Sequence, residues 1–463
     1  MKREICFIEA RSPGLHVFSD YPIPRLGTVL LSTILKGLGY RTKAFIEDIA
    51  KPDWKEIETY DIVGISTITS TAKRAYKLAD DLRAKGKTVI MGGPHPTFLP
   101  DEALEHSDYV VRGEGEETLV ELLDSLASGS SLEDIRGLSF RTASGTIHSP
   151  KRELIADLDR HPAPDFSLVH GWTGKTIMPM ATSRGCPFDC RFCSVIHMFG
   201  RKYRFKSIER ILEELREAET FTGFVFFIDD NFTADKKRTK ELLQRMISGG
   251  IRLKWSAQVR SDAAKDRELL RLMKKAGCTN VFVGFESINP NTLKLFNKKQ
   301  GIEDIVEAVK AFHEHGIRIH GMFVLGSDTD DLETIRNTER FARKMRIESV
   351  QLMILTPLPG TPVYEEMKAE GRLLHTDWSK YDAHHTVYRP KLLTPSELQR
   401  ETFKAMTKFY SWSKIINHLT RLNLYCGVLS YYGRRSVRRA SEESERYLRE
   451  LDKLVKLPLD HGI

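Results

Sequence analysis

From about residue 176 onward, short apolar runs alternate with longer stretches whose apolar residues recur every three or four positions. The runs at 177–182, 224–228, 252–258, 280–285, 318–325 and 349–355 predict strands, and 207–219, 236–247, 265–276, 302–315 and 332–344 predict amphipathic helices. Such repeats, at roughly 30 residues each, are βα units, and their alternation predicts a parallel sheet, open or closed into a barrel. The first 128 residues alternate in a similar way. Strands at 5–8, 42–46, 62–66, 88–91 and 109–111, with helices at 27–38, 71–85 and 116–127, predict a Rossmann-like doubly wound sheet. Beyond Pro390 the repeats stop, and Thr394-Pro395-Ser396-Glu397 predicts the start of a helical segment. The expected α/β organisation is a Rossmann-like domain over 1–135, a hairpin and linker over 136–172, βα repeats over 173–390 and a helical segment over 391–463.

Composition narrows this picture. At 463 residues, 41% hydrophobic and 29% charged, the chain has enough apolar residues for ordinary cores and is neither disordered nor collagen-like. No apolar run approaches a membrane span. Met1-Lys2-Arg3-Glu4 followed by the short run Ile5-Cys6-Phe7-Ile8 lacks the pattern of a signal peptide, so the expected location is cytoplasmic. The net charge of +8 is mild, but it is concentrated. From Thr402 to Ser441 there are eight Lys and Arg (404, 408, 414, 421, 434, 435, 438 and 439) and no acid, which equals the balance of the whole chain. Aromatic residues Phe403, Phe409, Tyr410, Trp412, Tyr425, Tyr431 and Tyr432 interleave with these charges. The segment 402–441 is expected to be a packed helical cap with a solvated basic face. The sharper expectation is a peripheral contact with an anionic membrane, at its inner face, or with a lipid-like substrate. Nothing resembles a nucleic-acid-binding module, so a nucleic-acid partner is disfavoured.

Of six cysteines, three fall within eight residues as Cys186, Cys190 and Cys193. A disulfide framework does not suit three close thiols in a cytoplasmic chain. Structural zinc takes four ligands, and only His197 stands near enough to offer a fourth. Three thiolates suit a [4Fe-4S] cluster with one iron left open. The run Arg184-Gly185-Cys186-Pro187-Phe188-Asp189-Cys190-Arg191-Phe192-Cys193 resembles the C-x3-C-x-aromatic-C signature of radical S-adenosylmethionine (SAM) enzymes, with Phe192 in the aromatic place. The resemblance implies a partial (β/α)6 TIM-type barrel with the cluster loop after its first strand. It also implies an open iron that chelates SAM, cleavage to a 5′-deoxyadenosyl radical, and an electron donor such as flavodoxin or ferredoxin.

Polar residues at the carboxyl ends of the predicted strands are the SAM candidates: Asp229, Asp230, Gln258, Arg260, Glu286 and Ser287. Arg260 suits the SAM carboxylate, because a guanidinium pairs bidentately with carboxylates. Asp229 or Asp230 suits the ammonium or ribose hydroxyls. Gly284-Phe285-Glu286-Ser287 resembles the family's G-x-E-S segment.

In the first domain, Gly92-Gly93-Pro94-His95-Pro96-Thr97 and Arg112-Gly113-Glu114-Gly115-Glu116 form loops after the fourth and fifth strands. Neither is a dinucleotide or Walker A loop. Both, with Arg25-Leu26-Gly27 and the Gly137-Leu138-Ser139-Phe140-Arg141 hairpin, resemble the cobalamin-binding domain fused to many radical SAM enzymes. The resemblance implies cobalamin contacts from Ser66, Thr67, Thr69, Gly92, Gly93, His95, Thr97, Gly113 and Glu114. The chain lacks the Asp-x-His-x-x-Gly segment that ligates cobalt in mutases. A packing role for the proline-flanked His95 is preferred to cobalt ligation.

With both cofactors, the resemblance implies methylation of an unactivated carbon of a small-molecule substrate. Tyr381, His384 and His385, in the aromatic segment 378–385, are the candidates for proton chemistry. Ring closure or oxidation by the same branch, and a non-catalytic cobalamin sensor, are the alternatives. A methylthiotransferase needs three further clustered cysteines, which the chain lacks.

Overall fold

The computed structural model describes residues 4–12, 14, 23–174, 177–420 and 422–454, which form two compact units. The first takes most of the chain up to Asp230 except residues 189–193; the second takes 189–193 and the chain from Asn231.

The first unit contains a seven-stranded sheet of β1 (Glu4–Glu9), β2 (Arg41–Ile46), β3 (Ile62–Ser66), β4 (Thr88–Gly92), β5 (Tyr109–Val111), β6 (Leu138–Thr142) and β7 (Gly145–His148). Its order is β2-β1-β3-β4-β5-β6-β7. β1 to β5 are parallel, so their carboxyl ends share one edge. β1 is buried along its whole length, as expected where helices cover both faces of a parallel sheet. The crossover from β3 to β4 includes the helix Ala72–Arg83, which buries Ala75, Leu78, Ala79 and Leu82 along one stripe. β6 and β7 add to β5 as an antiparallel hairpin, with Leu138 and Phe140 buried. The hairpin expected in a linker therefore extends the first sheet. The loop expected after β4 is also corrected, because Pro94–Phe98 is a short helix. Pro94 opens it, where a preset φ and a missing N–H carry no penalty.

The same unit holds β8 (Met178–Met180), β9 (Ser183–Arg184), β10 (Arg204–Phe205) and β11 (Phe224–Phe227). β8 and β11 pair in parallel, and β9 pairs antiparallel with β10. The compact unit that holds the N-terminal sheet thus extends to Asp230.

In the second unit, β12 (Lys254–Val259), β13 (Cys278–Glu286), β14 (Arg318–Leu325) and β15 (Ser349–Ile354) pair in chain order, all parallel. Trp255, Val281, Phe285, Phe312 and Phe323 are fully buried in this unit. The β13–β14 register pairs Gly284 with Met322 and Glu286 with Phe323, skipping Phe285. Such a bulge re-aims the side chain at the strand end. The C-terminal helices are Pro395–Phe409, Trp412–Thr420 and Leu424–Leu454. The first starts as expected, with a reciprocal cap between Thr394 and Glu397. The molecule is α/β throughout, with a Rossmann-like sheet, barrel-type parallel strands and a helical C-terminus. Among the described residues, no helix is long and apolar enough to cross a membrane.

Candidate active site

The cluster loop is held at both ends. On its upstream side, Gly185 has φ +94° and lies against backbone carbonyls. A Cβ there would stand 2.7 Å from the Lys202 oxygen and 3.1 Å from that of Gly200. The Cys186 N–H donates to the Gly200 carbonyl at 3.2 Å. The residues just before are gripped by carboxylates. Asp229, which follows β11, is buried and accepts from the Thr182 hydroxyl at 2.8 Å, the Thr182 N–H at 3.1 Å and the Ser183 hydroxyl. Arg184 pairs with Glu114 at 3.0 Å and Glu116 at 2.6 Å.

On the downstream side, the Cys193 N–H donates to the Cys190 carbonyl at 3.1 Å. The Arg191 N–H donates to the Phe296 carbonyl at 3.3 Å, and Asn297 Nδ2 to the Asp189 carbonyl at 3.0 Å. The Phe192 ring packs on Phe296 with centroids 4.9 Å apart. The aromatic position of the motif is therefore an anchor for the loop.

Cys186, Cys190 and Cys193 are half-buried thiols. Burial pushes the Cys190 thiol up, and the charges of Lys298 and Arg260 oppose this. Among the described residues, no three His, Cys, Asp or Glu side chains converge on one ion-sized point. A [4Fe-4S] cluster does not need them to, since its thiolates stand around a body several ångströms wide. Three thiols on one loop fit a cluster with an open iron.

The SAM candidates fall at strand ends, as expected, but several are already engaged. Asp229 holds the strand end before the loop. Asp230, next to it, has an exposed edge; burial and the Asp229 charge push its carboxyl up to about 7, a rise that solvent screens. Gln258 is the last residue but one of β12, and its carbonyl accepts the Phe232 N–H at 2.9 Å. Arg260 is buried, with Nε 3.6 Å from Asp262. Glu286 sits past the bulge at φ +62° and accepts from buried Lys298 Nζ at 2.7 Å. Ser287 is buried, and its hydroxyl accepts the Asn289 N–H at 2.9 Å. A buried guanidinium suits the carboxylate of an amino-acid moiety.

The cobalamin candidates gather at the carboxyl edge of β3, β4 and β5, three adjacent parallel strands. Gly93 has φ +100°, and a Cβ there would meet the Thr67 oxygen at 2.6 Å. Thr67 Oγ1 lies 2.7 Å from Thr71 Oγ1, so it stabilises the turn that Ser66 enters. Thr97 donates to the Gly93 carbonyl at 2.8 Å and accepts the Gly113 N–H at 2.9 Å, joining the two glycine loops. The Ser70 hydroxyl, which the sequence did not single out, is buried without a hydrogen-bond partner among the described residues. An edge lined by glycines, with an orphaned hydroxyl, fits a bulky ring with amide side chains.

Two of these residues turn elsewhere. His95 is fully buried, with Nδ1 3.3 Å from Thr69 Oγ1 and Nε2 3.4 Å from Glu102. Its ring is packed within the protein. Glu114 is the clear correction. Its carboxylate faces Arg184, Arg204 at 2.8 Å and the Ile155 N–H at 2.8 Å. Burial alone would raise this carboxyl, but the Arg204 hydrogen bond and the two guanidinium charges hold it below the usual carboxylate range. Nothing in the sequence spacing marks Arg184 and Arg204 as partners of Glu114.

In the segment 378–385, Tyr381 donates its hydroxyl to the His375 carbonyl at 2.7 Å. His385 Nδ1 pairs with buried Asp382 at 2.9 Å, and Asp382 also accepts the His384 and His385 N–H groups. His375 Nε2 lies 2.8 Å from Tyr447 Oη. His384 differs. Its Nδ1 is buried without a hydrogen-bond partner among the described residues, and burial holds its imidazole below the usual histidine range.

Comparison with known proteins agrees with this arrangement. The B12 binding domain model matches residues 19–123 and the Radical SAM superfamily model residues 180–342. The chain is 35% identical to an uncharacterized methyltransferase of Pyrococcus horikoshii over 77% of its own length and 80% of the relative's. It is 32% identical to the bacteriochlorophyllide d C-12(1)-methyltransferase of Chlorobaculum tepidum, over 79% and 78%. Its fold is similar to that of the cobalamin-dependent SAM radical enzyme OxsB, solved with aqua-cobalamin and SAM bound. The TM-score is 0.72 at 18% identity, covering 94% of this chain and 72% of that one. Two cofactor domains in this order, on one chain, make it an enzyme of the cobalamin-dependent radical SAM methyltransferase family.

Proposed function

We propose that the enzyme transfers a methyl group to an unactivated carbon of an apolar small molecule. The observation that carries this is the presence on one chain of a three-thiol loop and a glycine-lined edge fit for a corrin. Bound together, the [4Fe-4S] cluster, SAM and cobalamin would supply a hydrogen-abstracting radical and a transferable methyl group. The chain's own part is positional. Cys186, Cys190 and Cys193 hold the cluster, and Asp229 with Phe192 set the loop that carries them. Arg260, with Gln258 and Ser287 at the ends of β12 and β13, orients SAM, and Asp230 is a further candidate for it. Ser66, Thr69, Ser70, Gly92, Gly93, Thr97 and Gly113 face the corrin. His384, a neutral imidazole with an unspent nitrogen, accepts or relays a proton. A small electron-transfer protein of the flavodoxin or ferredoxin class reduces the cluster. The bacteriochlorophyllide methyltransferase relative supports a tetrapyrrole-sized, apolar substrate class.

The test is anaerobic reconstitution with iron, sulfide, hydroxocobalamin and methyl-deuterated SAM, offered to a panel of tetrapyrrole and polycyclic lipid acceptors. Expected are a bound corrin spectrum, 5′-deoxyadenosine, and a product carrying the deuterated methyl group. Deoxyadenosine and a dehydrogenated or cyclised product without label would replace methyl transfer by ring closure or oxidation. No deoxyadenosine at all would remove the radical reading.

A further inference from the structure

The C-terminal helices carry one exposed apolar face, and its chemistry names what covers it. On the helix Trp412–Thr420, the residues Trp412, Ile416 and Leu419 recur at i, i+4 and i+7, all exposed, while Ile415 is buried on the other side. On Leu424–Leu454, Leu424, Val428 and Tyr431 repeat the same spacing, with Tyr425 and Tyr432 beside them. Leu422, in the connection, is 86% exposed. The opposite stripe of the long helix, Cys426, Ser430 and Val437, is buried. The two exposed faces adjoin, with the Trp412 and Tyr431 ring centroids 6.3 Å apart. An apolar patch of this extent on a folded protein marks a contact surface.

The stripe continues directly into charge. The next positions after Tyr431 on the same face are Arg435, Arg438 and Arg439, all exposed, and Arg434 lies 5.2 Å over the Trp412 ring. Acids return only at Glu442 and Glu443. The other basic residues of the segment are spent elsewhere. Lys404 pairs with Glu401 and Lys408 with Glu339, and Lys414 Nζ is buried against the Ile347 and Glu348 carbonyls. Arg421 lies outside the described residues. The surface is therefore narrower than the basic segment: aliphatic and aromatic side chains, with Arg435 and Arg439 at one end and Arg438 paired to Glu442 at 2.9 Å.

We propose that this face docks on an anionic lipid bilayer. Leu422, Ile416, Val428 and Leu424 enter the acyl boundary. Trp412, Tyr431 and Tyr432 sit at headgroup level, and Arg435 and Arg439 meet the lipid phosphates. A second copy of the chain is a poorer cover. With no acid between Thr402 and Ser441, a symmetric pairing leaves the arginines facing arginines or leucines.

Cosedimentation of the full-length chain with vesicles of phosphatidylcholine alone or with 30–40% phosphatidylglycerol (roughly the range in which surface charge dominates) tests this. Anionic vesicles are expected to bind at least about tenfold more tightly than neutral ones, with added salt weakening the binding. Arg435→Glu with Arg439→Glu, both on the surface, should abolish the preference for anionic lipid. Ile416→Ser with Leu422→Ser and Val428→Ser should lose about tenfold in binding at unchanged helicity by circular dichroism. Absence of binding to anionic vesicles would overturn the proposal. So would a solution dimer that the serine variants dissociate, or binding to duplex RNA as tight as to anionic vesicles.

Discussion

Glu114 shows how one side chain sets the fate of its neighbours. With Oε1 on Arg184 and Oε2 on Arg204, it is the buried counter-charge of two guanidiniums. Glu114→Gln removes that charge, so buried Arg204 loses its carboxylate and Arg184 keeps only Glu116. A loss of about 3–5 kcal/mol is expected, read by chemical denaturation of the apo chain. Its pH dependence has a definite sign. The folded carboxyl titrates below its unfolded value, so its contribution is complete above the ordinary carboxylate range. It is lost as pH falls through the folded value, and the variant should lack that part of the acid transition. Tyr381 gives a contrasting expectation. Since its hydroxyl donates to the His375 carbonyl, Tyr381→Phe should cost about 1 kcal/mol in stability and leave deoxyadenosine formation intact. A large loss of deoxyadenosine in a folded variant would return Tyr381 to the chemistry.

At the scale of elements, the strand and helix periods told most of what the backbone does. β1 to β5, the barrel-type strands and the capped helix at Thr394 all lie where apolar spacing predicts them. What periodicity misses is side-chain direction at strand ends. Glu286 and Asp229 are candidate ligand groups in the sequence, yet a bulge and a buried lysine turn one inward, and two hydroxyls occupy the other. Partners separated by tens of residues carry no local signal. The glycine before the cluster motif is more legible, because its role is steric. Gly185→Ala would force a Cβ against two carbonyls at positive φ, so the loop must shift. Iron and sulfide content after anaerobic reconstitution should fall to less than roughly half of wild type while circular dichroism stays native. Full iron loading would show that the loop tolerates the change.

For the molecule as a whole, the two cofactor sites rest on different elements, and they should separate experimentally. The cluster cysteines lie on one loop, whereas the corrin edge is made by β3, β4 and β5. A Cys186→Ala, Cys190→Ala, Cys193→Ala variant should still retain hydroxocobalamin through gel filtration, seen by its visible absorption, and should make no 5′-deoxyadenosine. Loss of corrin as well would mean that the cluster loop organises the first sheet. The order of domains was legible because the cysteine spacing and glycine loops are local patterns. The division into compact units follows packing instead: the unit of the first sheet includes the hairpin β6–β7 and runs on through β8 and β11.

The carboxylate of Glu114 has a consequence for how such a protein can be cut and recombined. A gene fragment beginning near residue 173, the boundary drawn from sequence pattern, would encode Arg184 and Arg204 without the acid that neutralises both. The catalytic half is thus not a transplantable cassette. A chimera that exchanges the cobalamin-binding half for a relative's should work only where the incoming loop after the fifth strand brings its own acid to that place.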